Sequence, residues 1–254
     1  MKYEYLRPFL TSKAFAPVAF LSLLSLGVFI FLELAEEISE GEALDYDEYL
    51  LLSLRNPADL SDPIGPAWLE ETALELTSLG GYPIITLLTL AVAGYLAIVA
   101  RRWAAVYVLG SIGGGALLST VLKVFFERPR PDLVEQLDVI HTASFPSGHA
   151  MVGTVTYLTL GALVVRFAGT RREAIYILGV VALIAVTVGL TRVYLGVHWP
   201  SDVAAGWALG ISWAAFIWCL VAIIENRAAI HAFGTRAGSY FSSRPETQKT
   251  GAGE

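Results

Sequence analysis

Nearly unbroken apolar runs recur along the chain at about 14–35, 82–100, 103–125, 150–168, 174–191 and 203–224. Each is near the ~20 residues that a helix needs to cross a hydrocarbon core. The pattern predicts an all-α polytopic membrane protein, a bundle of six transmembrane helices. Two shorter segments in the first polar loop, at 49–54 and 68–76, are read as short amphipathic helices lying at the interface. The first apolar run follows Lys2, Arg7 and Lys13 in the manner of a secretory leader. It is too long and lacks a small-residue exit, so it is expected to stay as an anchor. No domain boundary is visible within 1–225, whose motif-bearing core is about 82–225. From 226 to 254 the chain turns polar, in a composition expected not to order itself, and is read as a cytoplasmic tail.

Composition supports this picture: mean hydropathy is +0.60 and only 16% of residues are charged, against about a quarter in soluble domains. Lys and Arg give the orientation, because short cytoplasmic loops carry their excess. With the N-terminus inside, 12 of the 17 fall inside, and the outer five are Arg55, Lys123, Arg128, Arg130 and Arg192. The expected location is a bacterial cytoplasmic membrane, with both termini cytoplasmic. The stretch 36–75 holds 12 of the 23 acidic residues and one cation, Arg55. A solvated acidic cover and a substrate-selecting lid both fit it. Most of the net charge of −6 arises there, so the chain offers no basic face for nucleic acid. The single Cys219 excludes an intrachain disulfide and a cysteine-rich metal site.

Against this apolar background, charged and titratable residues gather in three short clusters beside the spans. They are Lys123 to Pro131, with Arg130 between two prolines; Pro146-Ser147-Gly148-His149; and Thr191-Arg192 followed by His198 and Asp202. Charge at the edge of lipid must be solvated or matched, so three cations, two histidines and one carboxylate point to an anion site, and phosphate is the anion expected. Pro129 and Pro131 forbid regular continuation of the helix that Lys123 closes, which places Arg130 on an extended segment. Ser147 is expected to cap the next helix, and Gly148 lets the backbone approach a ligand, so the free N–H groups of that first turn form an anion site. His198 and Asp202 are four apart. That spacing lets the carboxylate orient the imidazole and leave its other nitrogen free to attack phosphorus.

These clusters read K-x6-R-P, P-S-G-H and T-R-x5-H-x3-D. In that order they resemble the signature of the type-2 phosphatidic acid phosphatase superfamily, integral membrane lipid phosphatases whose third motif begins with serine where this chain has Thr191. The resemblance spans roughly 45–225. It implies that His198 attacks to form a phosphohistidine, that His149 protonates the departing oxygen and then deprotonates water, and that Asp202 orients His198. It also implies that Lys123, Arg130, Ser147, Gly148 and Arg192 bind the substrate phosphate. The substrate would be a lipid phosphate or pyrophosphate of isoprenyl, phosphatidylglycerophosphate, phosphatidic acid or lipid A type, with membrane lipids as surroundings.

A lipid phosphotransferase using the same site stays open, as does an anion transporter, although charges gathered at one membrane face argue against a path through it. No metal and no other cofactor is expected, since three cations sharing the site would repel a divalent ion. Gly110-x3-Gly114 and Gly206-x3-Gly210 are read as close helix packing within the bundle, with a homodimer as the alternative. His141 and His231 are left out of the site, and Glu127 and Asp132 are read as trimming the charge of the first cluster.

Overall fold

A computed structural model describes residues 15–41, 44–138 and 142–242, with the side chains of 17–41, 45–138 and 142–224. Its helices are α1 (Phe15–Glu40), α2 (Leu44–Leu52), α3 (Ala67–Ser78), α4 (Tyr82–Ile98), α5 (Arg102–Phe126), α6 (Gly148–Val165), α7 (Arg171–Tyr194) and α8 (Pro200–Ser242). Five of them are long and apolar enough to span a membrane alone. The sixth candidate is a bent helix pair. Helix α4 reaches spanning length only with α3, from which it bends by 41° at the Gly80-Gly81 break. The six-helix expectation is met when this pair counts as one span; the segment 68–76, expected at the interface, is then one half of a bent helix pair and packs against α7.

Helix α6 is the axis of the bundle. Of its residues 61% are buried, against 33% or fewer in the four other single-helix spans, and α5, α7 and α8 surround it. Its sequence explains the placement. Ala150, Gly153, Thr154, Thr156, Thr159 and Gly161 are small enough to let neighbouring backbones close in. Three of the polar groups buried with it are partnered internally, which suits lipid surroundings. Thr156 donates to the Val152 carbonyl at 2.7 Å, Thr159 bonds the Ser111 hydroxyl at 2.8 Å, and Tyr157 donates to the Leu79 carbonyl at 2.8 Å. Helix α1 lies along α8, where Ser212 donates to the Leu24 carbonyl at 3.2 Å.

The glycine pairs behave differently from one another. A Cβ on Gly206 would stand 2.9 Å from the Ser147 carbonyl oxygen, and one on Gly210 2.8 Å from that of Met151, so this pair sets the α6–α8 approach. Gly114 similarly accepts the Trp213 ring, but Gly110 faces open space. Intrachain packing thus accounts for three of the four.

Two features depart from the sequence pattern. A small antiparallel ribbon, β1 (Arg55–Asn56) and β2 (Asp59–Pro63), folds within the acidic loop. Its turn is closed by the Ala58 amide donating to the Asn56 side-chain oxygen at 3.1 Å, a turn chemistry typical of Asn. The backbone of α8 also continues as helix to Ser242, although residues from 226 were expected not to order. Ala228, Ala229, Ala232 and Ala237 are strong helix formers that extend an already nucleated helix at little cost. The N-terminal cations Lys2, Arg7 and Lys13, the rim histidine His141, the His231 side chain and residues 243–254 lie outside the described residues.

The packing asymmetry predicts that Gly206→Leu lowers the thermal midpoint in detergent by an amount equivalent to about 1–3 kcal/mol, the usual cost of overpacking. Because the clash falls on Ser147, activity should drop with it. Gly110→Ala should leave the midpoint unchanged or raise it, since it adds helix propensity in open space.

Candidate active site

One end of the bundle brings together the end of α5, the segment 127–147 after it, the start of α6, the end of α7 and the start of α8. Helix α5 stops at Phe126 because Glu127 turns into the left-handed region, with φ 45° and its amide donating to the Lys123 carbonyl, and because Pro129 disfavours helix at Arg128. Lys123 is therefore in the last helical turn and Arg130 on a non-helical segment beyond it, as their spacing suggested.

Lys123 donates to the Ala143 carbonyl and, at 3.4 Å, to that of Ser144. The Arg130 guanidinium donates to the carbonyls of Thr142 at 2.8 Å and Val197 at 2.5 Å. The partners of both cations are thus largely neutral oxygens, which hold their direction without cancelling their charge. Burial, and then the neighbouring Arg192, push the Arg130 pKa down to about 10, so it remains protonated at neutral pH.

Arg192 is fully buried in the last turn of α7. One terminal nitrogen donates to Thr77 Oγ1 and to Asp138 Oδ2, both at 2.9 Å, while Nε and Nη2 are buried with no hydrogen-bond partner among the described residues. Ser147 occupies the N-cap position of α6, yet its hydroxyl makes no capping bond and is likewise buried and unpartnered. This corrects the expectation that Ser147 caps with its side chain. Its carbonyl instead starts the helix, accepting from the Met151 amide at 2.9 Å, and its amide donates to the Asp202 carbonyl at 3.0 Å. Buried unpaired donors cost about 1–3 kcal/mol each. A guanidinium edge, a hydroxyl and the first-turn amides of α6 are the donor set that a phosphate group satisfies.

Gly148 makes this cradle shallow enough. A Cβ there would lie 3.2 Å from the Tyr82 hydroxyl and 3.5 Å from Lys123 Cε. His149 follows on the inner side, half-buried against the break between α3 and α4, with its Nε2 3.8 Å from where a Gly81 Cβ would stand. It lies within electrostatic reach of Arg192, Asp138, Lys123 and Arg130.

His198 sits on the bend between α7 and α8, buried beneath Arg130. Its Nδ1 faces Asp202 Oδ2 at 3.3 Å and the Ser144 hydroxyl at 3.2 Å, and Ser144 donates its own proton to Asp202. Its Nε2 lies 3.3 Å from Arg130 Nη1. A guanidinium can only donate, so the ring carries its proton on Nδ1 and its lone pair on Nε2. Asp202 is fully buried and also accepts from the Trp199 amide at 3.0 Å and from Arg128 Nη1 at 2.6 Å. Burial, outweighing the opposing effect of Asp202, holds the His198 pKa far below its ordinary value, at about 3.

Of the predicted site residues, Arg130, His198, Asp202 and Ser147 are linked by hydrogen bonds and Lys123 packs close to Gly148, while Arg192 and His149 lie within electrostatic reach of the same cations. Sequence reasoning missed Ser144, Arg128, Asp47, Thr77 and Asp138. Arg128 and Asp138 lie inside or near the first motif, but nothing in their spacing distinguishes a brace from a solvated charge. Thr191 bonds its own helix, donating to the Val188 carbonyl at 2.7 Å, which explains why a threonine serves where the family motif has serine.

Comparison with known proteins agrees with this geometry. The PAP2 superfamily profile matches residues 104–224. Phosphatidylglycerophosphatase B of Bacillus subtilis (strain 168) is 34% identical over 149 residues, covering 57% of this chain and 71% of that one. An undecaprenyl-diphosphatase of Sulfolobus acidocaldarius is 46% identical over 77 residues, 29% of this chain and 31% of that protein. The crystal structure of a transmembrane PAP2 type phosphatidylglycerolphosphate phosphatase from Bacillus subtilis superposes with a TM-score of 0.67 at 29% identity, covering 80% of this chain and 96% of that chain. With its three motifs, the helical bundle of five to six candidate spans that carries them and these likenesses, the chain belongs to the PAP2 superfamily of type-2 phosphatidic acid phosphatases, as an integral membrane lipid phosphatase.

Proposed function

We propose that the protein removes the terminal phosphate of a lipid phosphate monoester or pyrophosphate at the outer membrane face, through a phosphohistidine on His198. The observation that carries this reading is the pairing at one place of a lone-pair nitrogen, His198 Nε2, with buried donors of the kind that a phosphate oxyanion satisfies. Lys123, Arg130 and Arg192 draw the phosphoryl group in. The Ser147 hydroxyl and the α6 amides fix its oxygens where charge builds up in flight. His198 Nε2 attacks phosphorus, the bond to the leaving oxygen breaks, and His149 gives that oxygen its proton. His149 then takes a proton from water, the water oxygen bonds phosphorus, the P–N bond breaks, and inorganic phosphate leaves with His198 restored. Asp202 stabilises the positive ring between the two steps. The low pKa of His198 supports the reading, because the attacking nitrogen is unprotonated throughout the physiological range.

The similarity to phosphatidylglycerophosphatase B makes phosphatidylglycerophosphate the first substrate to test. The Lys and Arg bias supports a cytoplasmic-membrane protein with both termini inside and the site outside. Residues 1–225 are then the catalytic domain, with a cytoplasmic extension after it.

Phosphate release from phosphatidylglycerophosphate in detergent is the direct assay. His198→Ala should be close to dead, and His149→Ala should lose about 10²–10⁴-fold, the usual worth of general acid catalysis. Normal turnover in His198→Ala overturns the assignment. Turnover should also survive dialysis against EDTA, because Lys123, Arg130 and Arg192 supply the positive charge that a metal otherwise would.

The His198 pKa also sets a stability trend. The folded value lies below the unfolded ~6.5, so the folded state binds fewer protons between them. Stability from this group is full above pH ~6.5 and is lost as pH falls toward 3, by up to about 1.4 kcal/mol per pH unit. Thermal unfolding in detergent should show the wild type losing more stability than His198→Gln between pH 7 and 4.5. Parallel losses would contradict the buried, neutral ring.

A further inference from the structure

The acidic first loop contributes one residue to the core of the site. Asp47, on α2, is the only buried acidic residue among those described in the stretch 36–75, and it has no exposed surface. Its Oδ1 accepts from the Ser201 amide at 2.8 Å, and its Oδ2 accepts from the Ser201 hydroxyl and from Arg128 Nη2 at 2.8 Å. The other end of that guanidinium, Nη1, donates to Asp202 Oδ1 at 2.6 Å and to Ser201 Oγ at 2.8 Å. Arg128 is itself buried and lies over the Trp199 ring, 5.7 Å from its centroid, while the Trp199 indole donates to the Pro129 carbonyl at 3.1 Å.

The result is a line of alternating charge, Asp47, Arg128, Asp202, His198, running from the outer loop to the attacking ring. We propose that Asp47 and Arg128 are positioning residues for the phosphatase reaction: Arg128 fixes the Asp202 carboxylate so that its Oδ2 faces His198 Nδ1, and Asp47 shares the charge of Arg128 so that Asp202 keeps its negative charge for the ring. The proposal rests on His198 being the nucleophile. Two carboxylates and one guanidinium leave one net negative charge beside His198, which is what a ring turning positive on phosphorylation needs. With Arg128 paired to Asp202 alone, that charge would be cancelled. Planar, two-ended donation of this kind is open to Arg but not to Lys. The α2 segment is thereby a structural member of the site rather than only a solvated cover.

The groups facing this line are few. Asp202 meets Arg128, Ser144, the Trp199 amide and His198. His198 meets Asp202, Ser144 and Arg130, with Lys123 in electrostatic reach. Asp47 meets Arg128 and Ser201.

The test is steady-state hydrolysis of phosphatidylglycerophosphate across pH by the full-length protein in detergent, with variants Asp47→Asn, Arg128→Met and Arg128→Lys beside His198→Ala. Arg128→Met and Asp47→Asn should each lower kcat about 10–100-fold, as outer-shell partners do, with KM little changed. Their pH profiles should move oppositely. Without Arg128, two buried carboxylates face each other and the acid limb of kcat shifts to higher pH. Without the Asp47 charge, Asp202 has the whole cation and the limb shifts lower. Arg128→Lys should recover part of the activity of Arg128→Met. Unchanged kcat in Asp47→Asn, or limbs that stay in place or move together while His198→Ala is dead, would overturn the brace alone. Should Arg128→Met fail to fold, Asp47→Asn and Arg128→Lys decide the same question from kcat and limb position. Normal turnover in His198→Ala would instead overturn the nucleophile, and the brace with it.

Discussion

Asp202 has no exposed surface, and it stands where the last span enters the bundle beside lipid. A carboxylate taken out of water costs several kcal/mol unless its lone pairs meet donors, and breaking such a set leaves a charge with nowhere to go. Four donors converge on it from two different stretches of chain: Arg128 and Ser144 from the segment after α5, and the Trp199 amide and the His198 ring from the bend. Its own backbone carbonyl accepts the Ser147 amide and so anchors the start of α6. One residue thus ties the three motifs together, and the local backbone has little freedom to rearrange around it.

The cations obey a complementary logic. Lys123 and Arg130 rest on main-chain carbonyls, whose dipoles orient them without supplying a countercharge. Arg192 has only the partly exposed Asp138 as a charged partner among the described residues. The site therefore gathers cations on the Nε2 side of His198 and a carboxylate on its Nδ1 side. That polarity suits the proposed reaction, in which an anionic group approaches the cations and the ring turns positive. Small residues on α6 and α8 make it possible, because Gly206 and Gly148 let two helix ends and a lysine approach more closely than any side chain would permit.

Much of this was legible in the sequence, because spanning helices and phosphate motifs both leave dense local signals. Lys123 at a helix end, Arg130 between prolines, and His198 four residues before Asp202 follow from spacing alone. The features missed depend on contacts across the chain. Asp47 looks like its acidic neighbours until α2 folds over Ser201, 154 residues away. Arg128 looks like a second copy of Arg130, yet it points to the opposite side of Asp202. Helix α4 alone is 17 residues, so its need for α3 was hidden by the apolar run that continues to residue 100. Ser147 reads as a cap because serine favours that position, and only the geometry shows its hydroxyl turned away from the helix.

The most direct test of the central claim is a structure of the protein with orthovanadate, which adopts the geometry of a phosphoryl group in transfer. The account predicts vanadium bonded to His198 Nε2, with its oxygens held by Arg192 Nε and Nη2, the Ser147 hydroxyl, Lys123 and Arg130, and the apical oxygen facing His149. Vanadate bound away from His198, or bound there with Arg192 and Ser147 untouched, would contradict it.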